Sequence, residues 1–277
     1  MKTLVPVKHV ASLPAGVLPD ERGTLDIDAL QWAPNEWDAY ALEAALALRE
    51  GASDGDADDG ALREPAGEVL VATVGDERAE QSLRAGLAIG ADRALRVWDD
   101  AFVSDARVGL DPLAVARVLA TLAERERPDL IVCGAQSSDA ASAATGVALA
   151  GLLGLAHVAV VTQIERDGER LTVERELDGG ASEIVRVALP ALLTVQTGAN
   201  RPRRANLRAI KLARTAPIAL LSLGDVGLDA AALDASAGSH ALRLRERERS
   251  SRATPIEGTP VEIAARITTI VEQALSR

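Results

Sequence analysis

Residues 128–154 read PDLIVCGAQSSDAASAATGVALAGLLG, and the fold turns on them. An apolar run, Asp129 to Cys133, stops at Gly134. A small polar loop, Ala135 to Ser142, follows, and a helix of small residues starts near Ala143 to Gly146. This is a buried strand feeding a helix through a Gly- and Ser-rich turn. Gly134 lets a backbone come close to a ligand, and the amides that open the helix can cradle a phosphate. Gln136, Ser137, Ser138 and Thr145 carry groups that hydrogen-bond phosphate or ribose oxygens. An ordinary strand-to-helix turn uses the same residue types. Neither a Walker A lysine nor a GxGxxG fingerprint is present, so a nucleotide here is bound mainly by loop backbone and hydroxyls.

The same strand–helix rhythm runs upstream. Thr3 to Val7 reads as a strand, and Asp38 to Arg49 as a helix with Ala41, Leu42, Ala45, Leu46 and Leu48 on or near one face. Glu68 to Thr73 is a strand, Glu77 to Ile89 a helix stopped by Gly90, Arg93 to Val97 a strand and Pro112 to Arg125 a helix. Strands alternating with helices imply right-handed parallel crossovers and a doubly wound α/β sheet. Its ligands are expected in the crevice beyond the carboxyl ends of the strands. A second loop, Pro34 to Asp38, points at that crevice: either Asn35 or Asp38 caps the helix while the other reaches across to a ligand. At the end of the first strand, Lys8 can neutralise a phosphate or pair with an acid. His9 reads as a surface or packed histidine rather than a catalyst, and His157 and His240 have no recognisable partner in sequence. Ala52 to Gly60, rich in Asp and Gly, reads as a solvated loop.

Composition narrows the function classes. The 277 residues are 48% hydrophobic and 26% charged, the balance of a globular chain with a sizeable core. Trp, Tyr and Phe together number five, so that core must be aliphatic. A net charge of −11 argues against nucleic acid as a partner. The lone Cys133 excludes a disulfide framework and a multi-cysteine metal site; no metal ligands and no catalytic residues are expected. No apolar run approaches the roughly 20 residues of a membrane helix, and Met1-Lys2 leads straight into a strand without a signal-peptide pattern. Direct membrane insertion is not expected, and a cytoplasmic location is.

Downstream, Val173 to Thr194 reads VERELDGGASEIVRVALPALLT. Two alternating runs meet at Asp178-Gly179-Gly180, a hairpin signal, and lead through Pro190 into the apolar segment Ala191 to Val195. Gly198 to Arg214 follows, with Asn200, Pro202, Arg201, Arg203 and Arg204 in a turn and Leu207 exposed beside polar neighbours ahead of helical residues from Ala209. An exposed apolar anchor within a basic rim suits docking, while a solvated linker is the plainer alternative. Ser239 to Arg252 is a charge-dense linker, and Pro260 to Leu275 an amphipathic helix with Ile263, Ile267, Ile270, Val271 and Leu275 on one side.

Taken in order, LVPVKHV, NEWDAYALEAALALRE, EQSLRAGLAIGADRALRV, PDLIVCGAQSSDAASAATG, the hairpin and VQTGANRPRRANLRAIKLAR closely resemble the electron transfer flavoprotein beta subunit, from Met1 to about Gly227. The resemblance implies a Rossmann-like doubly wound, mostly parallel sheet with an added β-hairpin. Residues 1–227 then form the AMP-binding domain, and residues 228–277 an extended C-terminal helical arm that packs on an alpha subunit. It also implies an electron carrier rather than an enzyme. Such a subunit pairs with an FAD-carrying alpha subunit, accepts electrons from flavin dehydrogenases such as acyl-CoA dehydrogenases, and passes them to a membrane quinone oxidoreductase.

Carried over by position, the family's AMP contacts fall on Pro6, on Asn35, Glu36, Trp37 and Asp38, on Val74, and on the loop with Gly134, Gln136, Ser137, Ser138, Asp139 and Thr145. Where the family commonly has Gly-Lys-Gln-Ala-Ile-Asp and Asn-Gln-Thr-Gly, this chain has Gly134-Ala135-Gln136-Ser137-Ser138-Asp139 and Ala143-Ala144-Thr145-Gly146. Ala140-Ala141-Ser142 lacks the acidic, Gly-rich continuation of bifurcating members, which favours AMP over a second FAD. Leu207 falls on the leucine of the family's docking loop, with Arg203 and Arg204 beside it. Glu176 falls on a glutamate that touches the mobile flavin domain, and Leu13 and Trp37 fall on flavin-facing aromatics. The alternative is a universal-stress-like or adenine-nucleotide-hydrolase-like single-chain domain, which shares the sheet and the phosphate loop.

Overall fold

The computed structural model describes residues 1–12, 14, 17–21, 23–51, 67–102, 111–229, 231, 233 and 253–276. The chain divides into two compact units, Met1–Leu244 and Arg245–Arg277. The first contains β1 (Lys2–Pro6), β2 (His9–Ser12), β3 (Gln31–Pro34), α1 (Glu36–Glu50), β4 (Glu68–Val74), α2 (Glu80–Ile89), β5 (Arg93–Val97), α3 (Pro112–Glu126), β6 (Leu130–Gly134) and α4 (Thr145–Leu153). It continues with β7 (Ala156–Asp167), β8 (Arg170–Glu176), β9 (Ser182–Ala188), β10 (Ala191–Val195), α5 (Leu207–Ala213) and β11 (Ala219–Leu221). The second contains α6 (Pro260–Leu275).

The central strands are continuous apolar runs because helices cover both faces of the sheet. Alternate residues go to opposite sides: Val5, Val71, Leu130 and Leu193 join Leu46 of α1 and Leu83 of α2 in one core. Leu4, Leu70, Ile131 and Leu192 join Leu122 of α3 and Leu149 of α4 in the other. Helix starts follow local chemistry. Asp111 accepts from the amides of Leu113 and Ala114 with Pro112 in the first turn of α3, and Thr259 with Glu262 forms a reciprocal capping box on α6.

A nine-stranded sheet results, in the order β11-β5-β4-β1-β6-β10-β7-β8-β9, with β2 and β3 forming a separate antiparallel pair. Strands β11 to β7 in that order pair in parallel, and β8 and β9 close the far edge antiparallel. From β1 the chain winds one way through β4 and β5, then restarts on the other side of β1 at β6. The order therefore reverses between β1 and β6, where a doubly wound sheet opens a crevice.

The α/β, mostly parallel architecture expected from the sequence is present, and the expected helices and strands fall within three residues of their bounds; α2 starts at Glu80, after a short helical turn over Glu77–Ala79. The hairpin pairs Val173 with Val185 and turns at Asp178–Gly180, with Gly179 and Gly180 at φ 75° and 78°. It is joined to the main sheet by β7, a strand with no counterpart in the sequence reading; β2, β3 and β11 were likewise unanticipated. Leu207 is the first residue of α5 rather than a loop residue ahead of it, because Asn206 accepts from the Ala209 amide and caps the helix there. Within α6, Val261, Ile267, Ile270, Val271 and Leu275 are exposed. Leu13, the Ala52 to Gly60 loop and the Ser239 to Arg252 linker lie outside the described residues. No helix among the described residues is long and apolar enough to cross a membrane.

Candidate functional site

A pocket of about 330 Å³ opens at the carboxyl ends of β1, β4 and β6, at the point where the strand order reverses. Pro6, Asn35, Asp38, Val74, Gly134, Gln136, Ser137 and Thr145, all singled out from the sequence, line it together with Lys8. Glu36, Trp37, Ser138 and Asp139 are near but are not part of the wall. Glu36 is exposed on the first turn of α1.

Of the two candidate caps, neither Asn35 nor Asp38 makes a side-chain cap bond to α1. Asn35 sits at the N-cap of α1 without a side-chain cap bond. Its buried amide instead ties the β6–α4 loop to α1: Nδ2 donates to the Gln136 carbonyl at 2.9 Å and to Asp38 Oδ1 at 3.0 Å, while Oδ1 accepts from the Ser138 amide at 3.2 Å. Asp38 points inward and accepts from the Lys8 amide at 2.6 Å and from the Gly134 amide. Burial outweighs these donors and pushes its carboxyl up to about 7. The buried Cys133 thiol beneath it is pushed up by burial and by the Asp38 charge.

Two glycines fix this geometry. A Cβ on Gly134 would collide with the Asp38 carboxylate and stand 2.7 Å from Trp37 Cβ, so the first turn of α1 itself requires glycine there. A Cβ on Gly146 would lie 2.8 Å from Thr194 Cγ2, where α4 meets β10. Between them, Ala141 and Ala143 both adopt left-handed φ of 49°. The first turn of α4 has no side-chain cap, and Thr145 and Gly146 line the pocket. Its orphan amides are therefore available to an anion.

Lys8 spans the loop, with Nζ 2.7 Å from Asp139 and 3.2 Å from Ser137 Oγ. Burial acts to raise the Asp139 carboxyl, but hydrogen bonds from Lys8 and Ser137 hold it below its usual range. The opposite wall was not visible in the sequence. The His9 ring stacks on Trp32 with centroids 6.0 Å apart, the Arg78 guanidinium lies 4.7 Å from the Trp32 ring centroid, and Arg78 pairs with Asp76. Trp98 and Phe102 complete that side. Burial lowers the His9 pKa, and its Nδ1 lies 2.9 Å from Ser82 Oγ. Trp32, Asp76, Arg78, Trp98 and Phe102 come from separate segments; the run Gly75-Asp76-Glu77-Arg78, with Asp76 capping a short helical turn after a strand, was the one local signal for any of them.

Two further groups lie outside the pocket. Trp37 Nε1 donates to Gln196 Oε1 at 3.1 Å, and Gln196 Nε2 donates to Glu176 at 3.2 Å, so an unanticipated glutamine joins two residues selected from the sequence. Arg203 is bound by Glu43 and Glu50 of α1, Arg204 is exposed, and Leu207 is 86% exposed.

A doubly wound α/β chain with a Gly-flanked, amide-rich pocket at its switch point belongs to the Rossmann-like class of folds, whose ligand sites lie at that crevice. Residues 23–226 match the family described as Electron transfer flavoprotein domain. The chain is 41% identical over 276 residues to the electron transfer flavoprotein subunit beta of Methylophilus methylotrophus, covering 99% of this chain and 98% of that one. It is 36% identical over 233 residues to the subunit of the same name from Bradyrhizobium diazoefficiens, covering 84% and 86%, and 34% identical over 231 residues to the one from Homo sapiens, covering 83% and 84%. The chain belongs to the electron transfer flavoprotein beta-subunit family, which replaces the single-chain nucleotide-hydrolase alternative.

Proposed function

We propose that this chain is the beta subunit of a heterodimeric electron transfer flavoprotein, holding AMP in the β1/β6 pocket and assembling with an FAD-bearing alpha subunit. The observation that carries the nucleotide assignment is the uncapped start of α4 beside a loop pinned by Asn35. In this reading the amides of Thr145 and Gly146, with Ser137 and Gln136, hold the phosphate and ribose. Pro6 and Val74 pack on the base. When bound, FAD supplies the chemistry of accepting electrons from flavin dehydrogenases and releasing them to a quinone oxidoreductase.

The chain's own residues orient and exclude. Asp38 is held at the pocket wall by the Lys8 and Gly134 amides and so fixes the end of β1 and the start of the β6–α4 loop. The thiol of Cys133 is kept un-ionised by burial. Glu176, steadied by Gln196, faces the mobile flavin domain, and Trp37 lies on the flavin side. Leu207 docks the donor dehydrogenase, and residues 228–277 pack on the alpha subunit. Coexpression with the alpha subunit tests this: a yellow heterodimer with a flavin absorption spectrum is expected, whereas a colourless single chain that hydrolyses ATP would overturn it.

A further inference from the structure

The segment 201–214 reads RPRRANLRAIKLAR, with six basic residues and no acid in a chain of net charge −11. Within it α5 is only seven residues long. So short a helix has little stability of its own, because its nucleating turn is barely offset by later hydrogen bonds. It packs on α2 and buries Ala213 but holds Leu207 86% and Leu212 63% exposed, so most of its apolar surface does nothing to keep it in place. Polar contacts at its two ends supply the rest.

The structure places an arginine at each end. Before the helix, the Arg203 guanidinium donates to both oxygens of Glu43 and to both oxygens of Glu50, at 2.7 to 3.1 Å, and the Arg203 amide donates to Glu43 at 2.9 Å. Glu43 is itself buried, Arg203 and Glu50 are half-buried, and the geometry is bidentate. Asn200 adds a bond from Nδ2 to the Tyr40 carbonyl at 2.9 Å. Beyond the helix, Arg84 of α2 donates to the carbonyls of Ala213, Arg214 and Ala216 at 2.8 to 3.4 Å, and Glu80 holds Arg84 at 3.0 Å. These carbonyls at the end of α5 have no later turn to bond, so Arg84 serves as their cap.

We infer that Arg203 and Arg84 are positioning residues for partner docking: two guanidinium clamps, onto α1 and α2, present the apolar face of α5 headed by Leu207. The inference rests on the docking role of Leu207 stated above. Arg203 then contributes to docking through Leu207 and not by meeting the partner itself. Lysine keeps the charge in either place, but it cannot pair bidentately with two carboxylates at position 203, and at position 84 it lacks the second nitrogen with which Arg84 holds Glu80 while Nη1 caps the carbonyls.

The test is a double-mutant cycle on the heterodimer, reading steady-state reduction by the donor dehydrogenase. Arg203→Lys and Arg84→Lys are each expected to raise KM for the electron transfer flavoprotein about 5-fold, with a smaller effect on kcat, the response to roughly one lost hydrogen-bonded contact. In a Leu207→Ala background the same substitutions are expected to add little, since the group they present is gone. Fully additive effects, or an unchanged KM in variants whose FAD content and thermal melting match the parent, would overturn the clamp. If Leu207→Ala itself leaves KM unchanged, the docking reading fails and takes the clamp with it. Should Arg203→Lys fold poorly, Arg84→Lys decides, because it lies at the other end of the helix on a different support.

Discussion

Asp38 shows how much one residue in this fold is governed by its surroundings. Sequence offered it as a helix cap or a ligand contact; the structure buries it against the amides of Lys8 and Gly134. Its carboxyl rises from 3.8 to about 7, so the folded chain holds a proton there that the unfolded chain has released. Stability from this group is therefore full below pH about 4, falls as pH rises towards 7 and is flat above. Denaturant unfolding of the parent and Asp38→Asn at pH 5 and pH 8 checks it: the variant is expected to gain on the parent at pH 8, and a pH-independent difference would contradict the assignment. Gly134 depends on the same neighbour. Gly134→Ala is expected to cost about 1–3 kcal/mol by overpacking against Asp38 and Trp37, read as a lower denaturation midpoint. The glycine was legible in the sequence as a site of close approach, but the crowding group was not, because Asp38 lies far away in the chain and only the fold brings it near.

At the scale of elements, the parallel strands and their crossover helices were legible because each is a long apolar or 3.6-periodic run bounded by Gly, Pro or Asp. β7 was missed for a physical reason. Its run Ala156–Asp167 is interrupted by a bulge in which Val160 takes φ 61° and Thr194 Oγ1 accepts the Val160 amide, so the strand changes partner and alternation partway along. β2, β3 and β11 are three or four residues long, too short for any period to show. The β6–α4 loop carries a comparable local tension, since Ala141 and Ala143 occupy a conformation that costs an L-residue with a Cβ about 1 kcal/mol. Asparagine tolerates that conformation better than alanine. Ala143→Asn is expected to raise the melting temperature slightly while keeping nucleotide content, and a lower melting temperature would argue that the loop adopts another conformation.

For the whole molecule, the pocket, the Gln196-linked pair Trp37 and Glu176, and the clamped docking helix all meet on α1, which with its N-cap Asn35 supplies Asp38, Trp37, Glu43 and Glu50 to them. The six motifs found in order made the family legible, yet the aromatic wall of Trp32, Trp98 and Phe102 was not, since it is assembled from distant segments. α6 carries Val261, Ile267, Ile270, Val271 and Leu275 exposed, and such a stripe is expected to bury against another surface. A chain ending at Asp234 is accordingly expected to copurify less with the alpha subunit, and full copurification would count against the arm. The central claim, that the β1/β6 pocket of an electron transfer flavoprotein beta subunit holds AMP, is tested most directly by extracting nucleotides from the purified heterodimer and separating them chromatographically. FAD and AMP in equal amounts is the expected result. FAD alone, or FAD at twice the heterodimer concentration without AMP, would contradict it.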